Sequence, residues 1–257
     1  MANAEAVAGI AANQDNVIWR FSTAPGRAAA VDPGEAEPLL DHLRQRGESL
    51  SHVLLTHHHA DHVGGVEVLK RAFPSLRVIG AAADACRLPP LDLAVSEGDG
   101  LALGERTARV MAVPGHTSGH LAFVVGEWLF PGDVLFRCGC GRLFEGTAEQ
   151  MWHSLQRLSS LPDATLIFPG HEYTLANLAF ALHWEPDRVE LLEAREETRR
   201  LRREGRWTMP VPLERERRLN PFLRCADPEF AARLGMERLS PVERFATLRR
   251  LRNDFTG

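Results

Sequence analysis

The sequence predicts a mixed α/β or α+β domain followed by a smaller, helical carboxyl-terminal domain. Up to about residue 172, short runs rich in apolar residues alternate with segments of helical periodicity. Beyond that point the strand-like runs stop, and helical segments with typical capping residues take over. We therefore expect two domains in this chain of 257 residues, comprising residues 1–172 and residues 173–257.

The predicted strands of the first domain are short and bounded by Gly, Pro and polar residues. They cover residues 17–21, 28–31, 53–55, 77–79, 110–113, 121–125, 128–130 and 165–168. Gly126-Glu127 lies between two of these runs and predicts a hairpin with a two-residue turn. Helices are expected over residues 35–46, 62–73 and 148–158, and Thr147 with Gln150 forms a capping box before the last of them.

The second domain has its own helix starts and stops. Helices are expected over residues 173–183 and 187–203, and Gly205 ends the second one. An extended, proline-bearing stretch at residues 209–213 follows. Asp227-Pro228 and Ser240-Pro241 are typical helix starts, because proline suits the first helical position.

The most informative segment is T-H-H-H-A-D-H at residues 56–62, which follows the apolar run at residues 53–55. If protonated, side chains packed this tightly would repel or desolvate one another. Neutral imidazole nitrogen and carboxylate oxygen instead bind transition metals. On an extended segment His57 and His59 project to the same side and can share one ion. If the chain then bends into a helix, Asp61 and His62 can serve a second ion.

Three further metal-capable side chains follow Pro-Gly turns. His116, Asp133 and His171 each come directly after a short apolar run and a Pro-Gly dipeptide. A small-residue turn at the end of a strand lets the backbone bend sharply and directs the next side chain into a cleft. Together with the histidine-rich segment, these residues offer seven ligands, the arrangement of a binuclear hydrolase with a bridging water.

These motifs, in this order, resemble the metallo-β-lactamase superfamily, and within it the chain is similar to the glyoxalase II (hydroxyacylglutathione hydrolase) family. The metal motif is common to the superfamily, whereas the segment at residues 139–147 and the carboxyl terminus are far more specific to glyoxalase II. The resemblance implies a four-layer αββα sandwich followed by a helical domain. The segments that carry it are V-D-P-G (31–34), G-H-T-S-G-H (115–120), P-G-D-V-L-F (131–136), G-C-G-R-L-F-E-G-T (139–147), P-G-H-E-Y-T (169–174), N-P-F-L-R (220–224) and R-R-L-R-N-D-F (249–255).

The resemblance also implies the roles of the seven ligands. One divalent ion is expected on His57, His59 and His116, and a second on Asp61, His62 and His171. Asp133 is expected to bridge the two ions and to serve as the catalytic ligand of the metal-bound hydroxide. Zinc is favoured, while iron and manganese also tolerate histidine and carboxylate ligands.

The implied reaction is hydrolysis of S-D-lactoylglutathione to glutathione and D-lactate, the second step of methylglyoxal detoxification. The residues expected to bind the substrate are Arg142, Phe144, His171, Tyr173, Arg249 and Arg252. Arg142 and Arg252 replace lysines of one version of the family pattern, and arginine keeps the charge and adds bidentate carboxylate binding. Phe144 replaces a tyrosine, so the hydrogen bond of that hydroxyl to the peptide is expected to be lost.

Composition and charge exclude several other classes of protein. A net charge of −4 argues against nucleic acid as a general partner, although 17 Arg against 13 Asp and Glu from Asp187 onward make the carboxyl-terminal part basic.

No run approaches the roughly 18 apolar residues needed to span a bilayer, and residues 1–16 lack the features of a secretory signal. The four cysteines do not suggest a disulfide framework, and Cys138-Gly-Cys140 is interpreted as a tight loop. We expect a cytoplasmic monomer acting on a small molecule.

Alternatives of other classes remain open at this stage. A persulfide dioxygenase of the same superfamily would use a single iron on residues matching His57, His116 and Asp133, but the segment at residues 139–146 argues against it. A nuclease would need basic surface near the metals, and the part of the chain before Asp187 carries a net charge of −8. A non-catalytic binding module would be expected to have lost ligands, and all seven are present.

Overall fold

The computed structural model describes residues 6–256, in two compact units. The first unit runs through Val113 and also includes Gly119–Gly132 and Phe168–His171. The second unit comprises Pro114–Ser118, Asp133–Ile167 and the chain from Glu172 onward. Residues 1–5, part of the segment predicted to carry no secretory signal, lie outside the described residues.

The first sheet of the first unit contains six strands in chain order, from β1 to β6. Their bounds are β1 Val7–Ala12, β2 Asn16–Ala24, β3 Arg27–Val31, β4 Ser49–Leu54, β5 Arg77–Ala81 and β6 Leu93–Val95. Strands β1 to β3 pair antiparallel, and β3 to β6 pair parallel. Parallel neighbours need crossover connections, which here contain α1 (Glu37–Arg46), α2 (Ala60–Val63) and α3 (Val66–Ala72), besides a 3₁₀ turn at Ala82–Asp84.

The prediction of one helix over residues 62–73 is wrong, because the chain forms the separate helices α2 and α3. Gly64 and Gly65 separate them. The amide of Gly65 donates to the carbonyl oxygen of Pro33 at 2.9 Å, so this hydrogen bond leaves the helix. A Cβ atom on Gly65 would lie 2.6 Å from the same oxygen, so only glycine permits this close approach of two backbones.

The second sheet of the first unit is antiparallel, with strands β7 (Gly100–Leu103), β8 (Arg106–Ala112), β9 (Leu121–Val125) and β10 (Trp128–Phe130). The predicted hairpin is confirmed, since Val125 pairs with Trp128 and Gly126 has a φ of 59°. Aromatic rings join this sheet to the first one. Phe21 of β2 stacks on Phe130 of β10, with ring centroids 5.4 Å apart.

The second unit is mostly helical. Its elements are β11 (Leu135–Phe136), β12 (Gly139–Cys140), α4 (Ala148–Ser159), β13 (Leu166–Ile167), α5 (Thr174–Trp184), α6 (Val189–Arg203), β14 (Val211–Pro212), α7 (Leu213–Leu219), α8 (Pro228–Arg233) and α9 (Pro241–Asp254). The capping box of Thr147 and Gln150 is confirmed at the start of α4. Only residues 211 and 212 of the expected extended stretch pair as a strand, and α7, which was not predicted, begins directly after them.

Cys138, Leu178, Leu191 and Leu219 are buried together and form part of the core of the second unit. The hairpin of β11 and β12 has a two-residue turn, Arg137-Cys138, and Cys138 adopts a φ of 55°. This confirms the interpretation of Cys138-Gly-Cys140 as a tight loop. Among the described residues, no helix is long and apolar enough to cross a membrane.

Candidate metal centre

The histidine-rich segment lies where β4 ends and α2 begins. The chain leaves the sheet after Leu54, remains extended at His59 with φ −62° and ψ 143°, and becomes helical at Ala60. The predicted bend from an extended segment into a helix is therefore confirmed. Because of this bend, His57 and His59 come from the extended part, whereas Asp61 and His62 come from the first turn of α2.

His57 and His59 bring two ring nitrogens together. Nε2 of His57 lies 3.0 Å from Nδ1 of His59, and the side chain of His57 is completely buried. Two neutral imidazoles at this distance can share a metal ion, whereas two protonated ones would repel each other. The ring of His57 also stacks on that of His120, with centroids 4.7 Å apart.

Asp61, His62 and His171 form a second group, whose ligand atoms all lie within 4.8 Å of one another. Nε2 of His62 is 3.2 Å from Nε2 of His171, and Oδ2 of Asp61 is 3.6 Å from the former and 3.5 Å from the latter. Metal bonds of 2.0–2.2 Å in a tetrahedral site imply ligand separations of about 3.3–3.6 Å. The three side chains therefore fit one transition-metal ion.

Asp32 fixes one of these ligands, and sequence reasoning gave it no role. Its Oδ2 is 3.0 Å from Nδ1 of His62 and also accepts from the hydroxyl of Thr56 at 2.6 Å, while Oδ1 accepts from the amide of Thr56 at 2.8 Å. Oxygens occupied in this way are poor candidates for metal ligation. Asp32 instead orients the ring of His62 through Nδ1, the nitrogen opposite the one that faces the group, as carboxylates commonly do for metal-binding histidines. The V-D-P-G motif contains this residue and could have indicated it.

The turn between β1 and β2 was also missed. Asp15 accepts from Nδ1 of His171 at 2.8 Å, and Asn16 donates through Nδ2 to Oδ2 of Asp61 at 3.1 Å. In the sequence these residues form only an ordinary polar turn, N-Q-D-N, between two strands. The contacts are long-range, so no local pattern could have indicated them.

His116 and Asp133, the other two predicted ligands, belong to the second unit. Nε2 of His116 lies 3.5 Å from Oδ2 of Asp133, a separation that also fits ligands of one ion. The other ring nitrogen of His116, Nδ1, is 2.9 Å from the carbonyl oxygen of Arg142, and this contact fixes the ring. Gly115, with a φ of 151°, provides the predicted small-residue turn, and a Cβ atom there would collide with Met151.

The residues predicted to bind substrate differ in their exposure. Arg142 and Phe144 are exposed on the loop after β12, and the ring of Phe144 lies 5.2 Å from that of His116. Tyr173 is partly buried and packs edge-on against Phe136, with centroids 5.3 Å apart. His171 is buried beside Asp61 and His62, as described above.

Arg249 and Arg252 occupy the same helix but have different surroundings. Arg249 is buried, and its Nη1 donates to the carbonyl oxygen of Cys140 at 2.6 Å. Arg252 lies over the ring of Phe180 at 5.9 Å. Burial lowers the pKa of Arg252 from its usual value, and the positive charges of Arg249 and Arg142 lower it further. Arg252 thus lies near two other positive charges, and such a concentration of positive charge favours an anionic ligand.

Burial changes the pKa of several other cysteines and histidines. Burial raises the pKa of the Cys140 thiol to about 11 and that of Cys138 well above its usual value, which disfavours a thiolate site. Burial also lowers the pKa of His42 and of His52. Nδ1 of His58 lies 3.2 Å from Oδ2 of Asp84.

A fold of two face-to-face sheets with histidines and aspartates at the ends of its strands is the arrangement of the metallo-β-lactamase superfamily, and the family model with that description matches residues 18–171. A second model, described as the carboxyl terminus of hydroxyacylglutathione hydrolase, matches residues 172–255. The chain belongs to the hydroxyacylglutathione hydrolase family of this superfamily. The prediction of a metallo-β-lactamase fold followed by a helical carboxyl-terminal part is confirmed.

Curated relatives support this assignment, and solved structures support the fold. A hydroxyacylglutathione hydrolase of Methylococcus capsulatus is 49% identical over 247 residues, which cover 95% of this chain and 96% of that protein. Among solved structures, ETHE1 from Myxococcus xanthus is similar with a TM-score of 0.68 and 25% identity, covering 95% of this chain and 89% of that one. TTHA1623, solved in a di-iron-bound form, has a TM-score of 0.54 and 34% identity over 64% of this chain and 91% of that one.

Proposed function

We propose that this protein is a metal-dependent thioester hydrolase that converts S-(2-hydroxyacyl)glutathione and water to glutathione and a 2-hydroxy acid. S-D-lactoylglutathione, which yields D-lactate, is the representative substrate. The observation that carries the proposal is the match of residues 172–255 to the carboxyl terminus of hydroxyacylglutathione hydrolase. A metallo-β-lactamase match alone would leave the substrate open, because one fold supports many activities.

The proposed site holds two divalent ions. His57, His59 and His116 would hold one ion, and Asp61, His62 and His171 would hold the other. Asp133 would be a ligand of both. The separations within the group of Asp61, His62 and His171 support this assignment, since they suit metal bonds of ordinary length. The di-iron form of TTHA1623 supports two ions rather than one. Zinc is the favoured metal, and iron and manganese have compatible ligand preferences.

The chain's own groups do the rest of the chemistry. When bound, divalent ions lower the pKa of water from about 15.7 toward about 7 and polarise an acyl carbonyl. Asp32 keeps the ring of His62 oriented, and the carboxylates of Asp61 and Asp133 offset part of the cationic charge. Addition of water to the acyl carbon forms the C–O bond of the 2-hydroxy acid and breaks the bond to sulfur, and a thiol of pKa about 8.5 leaves readily as thiolate. No strong general acid is needed.

The glutathione part carries two carboxylates, which suits cationic side chains. We assign Arg142 and Arg252 to these carboxylates, with contacts from Phe144, Tyr173 and His171. The exposure of Arg142 and the positive charges of Arg142 and Arg249 near Arg252 support this assignment. Arg249 contributes positive charge, and its hydrogen bond to Cys140 places the loop that carries Arg142.

We also propose a domain division, an oligomeric state and a location for this protein. Residues 1–172 form the catalytic domain and residues 173–257 form the helical, substrate-binding domain; the protein is a monomer; it works in the cytoplasm. The two family models, which meet at residues 171 and 172, support the domain boundary.

The test measures the ratio of metal to protein and then compares two reactions. We expect about two ions per chain and hydrolysis of S-D-lactoylglutathione. Oxygen uptake with glutathione persulfide and a single iron per chain would contradict the proposal and favour the dioxygenase alternative. Metal-loaded protein that hydrolyses small thioesters but not glutathione thioesters would contradict the assigned substrate.

A further inference from the structure

The turn between β1 and β2 contacts two of the proposed metal ligands. Ala12 pairs with Asn16 across the hairpin, so its loop contains only Asn13, Gln14 and Asp15. Asn13 adopts a φ of 49°, and its amide donates to Oε2 of Glu35 at 2.7 Å. The loop is thus held in place by a segment that follows β3, rather than extending freely from the sheet.

Asp15 and the backbone of β2 fix His171 from two sides. Oδ1 of Asp15 lies 2.8 Å from Nδ1 of His171. The backbone of Asn16 forms a bridge with that of His171, and the amide of Val17 donates to the carbonyl oxygen of Gly170 at 2.8 Å. Because an ionised carboxylate only accepts hydrogen bonds, the proton of the neutral ring lies on Nδ1. Nε2, which faces Asp61 and His62, then carries the lone pair of the ring.

Asn16 fixes the carboxylate that completes this group. Its Nδ2 donates to Oδ2 of Asp61 at 3.1 Å and to the carbonyl oxygen of Asp61 at 3.0 Å. Oδ2 is the same oxygen that lies near Nε2 of His62 and Nε2 of His171. On the other side, a Cβ atom on Gly34 would collide with the carbonyl oxygen of Asp61, so the backbone there is closely packed. Asn16 is itself buried, with 5% of its surface exposed.

The arrangement around His171 repeats the one around His62. In both cases a carboxylate meets Nδ1, Asp32 at 3.0 Å and Asp15 at 2.8 Å, and in both cases Nε2 faces the shared group. The two carboxylates differ in environment, since Asp32 is buried and the side chain of Asp15 is 45% exposed. An exposed hydrogen bond is weaker than a buried one, so we expect Asp15 to contribute less than Asp32.

We propose that Asp15 and Asn16 are positioning residues for one of the two metal ions, the one assigned to Asp61, His62 and His171. Asp15 sets the ring orientation and the tautomer of His171, and Asn16 sets the direction of the Asp61 carboxylate. The inference deepens the proposed function and rests on its metal site. Neither residue touches the substrate or a reacting atom in this proposal.

The experiment measures Zn²⁺ affinity of the whole protein by competition with a chromophoric chelator, separately from activity. Asp15→Ala and Asn16→Ala should each weaken one of the two Zn²⁺ ions by roughly 10–100-fold and leave the other unchanged. Asp15→Asn keeps an oxygen that can accept from Nδ1 of His171, so its Zn²⁺ affinity should fall less than that of Asp15→Ala. Gln14→Ala, on the same turn, is the matched control and should bind both ions normally.

The outcomes separate the inference from the proposed function. Wild-type protein that binds none of Zn²⁺, Fe²⁺ and Mn²⁺ would contradict the proposed function itself. If wild-type protein binds two ions and hydrolyses S-D-lactoylglutathione, and both alanine variants bind Zn²⁺ as tightly as it does, only the inference is overturned. Equal weakening of both ions, or equal losses in Asp15→Ala and Gln14→Ala, would also overturn it, because a general effect on folding would then explain the result.

Discussion

Oδ2 of Asp32 lies 3.0 Å from Nδ1 of His62, and the same carboxylate accepts two hydrogen bonds from Thr56. One buried side chain therefore links the end of β3 to the segment after β4 and to the first turn of α2. Asp32 adopts a φ of 50°, which is uncommon outside glycine but tolerated by aspartate. The residue that orients His62 is thus also the residue that holds these segments together.

Asp32→Asn should separate these two roles. In this variant the side-chain amide oxygen still accepts hydrogen bonds, but the amide nitrogen that replaces the other carboxylate oxygen only donates. The side chain therefore cannot accept from both His62 and Thr56 as the carboxylate does. We expect metal affinity to fall by roughly 10–100-fold, while the protein remains folded. Asp32→Ala should in addition lower stability by about 1–3 kcal/mol, because the buried amide and hydroxyl of Thr56 lose their acceptor. Metal titration and urea denaturation of both variants measure the two effects. Unchanged metal affinity in Asp32→Asn would contradict the orienting role.

Asp133→Ala tests the bridging ligand. A carboxylate shared by two ions contributes to the binding of both, so its loss should lower the metal content per chain and reduce turnover by orders of magnitude. Metal analysis after gel filtration and hydrolysis of S-D-lactoylglutathione provide the measurements. Full loading with two ions and near-normal hydrolysis would show that Asp133 is not a bridging ligand.

Sequence reasoning predicted much of the fold because the relevant patterns are local. The hairpin at Gly126, the capping box of Thr147 and the bend from β4 into α2 each depend on a few neighbouring residues. The failures depend on partners far along the chain. The break at Gly65 exists because the carbonyl oxygen of Pro33 approaches it, and no helical periodicity contains that information.

The candidate site shows the same division. His57, His59, Asp61 and His62 could be singled out because metal-binding side chains cluster in sequence, and His171 because it follows a Pro-Gly turn. The supporting residues Asp15 and Asn16 have no such pattern, since their partners lie 156 and 45 residues away. The burial of Arg249 was also not predictable, because the periodicity of α9 does not show which arginine faces the loop of Cys140.

Glu216 should make stability depend on pH in an unusual direction. The residue is completely buried, and this burial raises its pKa from 4.5 to about 7, although the amide of Cys138 and the charges of Arg137 and Arg215 oppose the shift. A carboxyl whose pKa is raised in the folded state holds its proton more tightly there. Its contribution is therefore fully present below pH 4.5 and is lost as the pH rises through about 7.

The test compares wild type with Glu216→Gln, whose amide remains neutral at every pH. At about 1.4 kcal/mol per pKa unit, ionisation of Glu216 costs about 3 kcal/mol above pH 7. Glu216→Gln should gain stability relative to wild type between pH 5 and pH 8, by an amount approaching that figure. Urea denaturation at both pH values measures it. A difference in unfolding free energy that does not change with pH would show that Glu216 does not titrate in this range.

Arg252 and Arg249, which were expected to act alike, should differ when each is replaced by alanine. Arg252→Ala should raise KM for S-D-lactoylglutathione about tenfold with little change in kcat, because a contact to a remote part of the substrate mainly affects binding. Arg249→Ala removes a hydrogen bond to the carbonyl oxygen of Cys140. It should therefore lower the free energy of unfolding by about 1–3 kcal/mol. Because this loop continues to Arg142, whose carbonyl oxygen fixes the ring of His116, we expect Arg249→Ala also to impair hydrolysis of a small thioester without the glutathione peptide.

Arg250→Ala is the matched control, since Arg250 is exposed on the same helix and the substitution removes the same charge. It should leave KM and stability nearly unchanged. KM, kcat and the free energy of unfolding are measured for the three variants with both thioesters. If Arg252→Ala impairs the small thioester as much as the glutathione thioester, Arg252 supports the fold rather than recognition. If Arg249→Ala affects only the glutathione thioester, its guanidinium contacts the substrate, and its hydrogen bond to Cys140 does not limit catalysis.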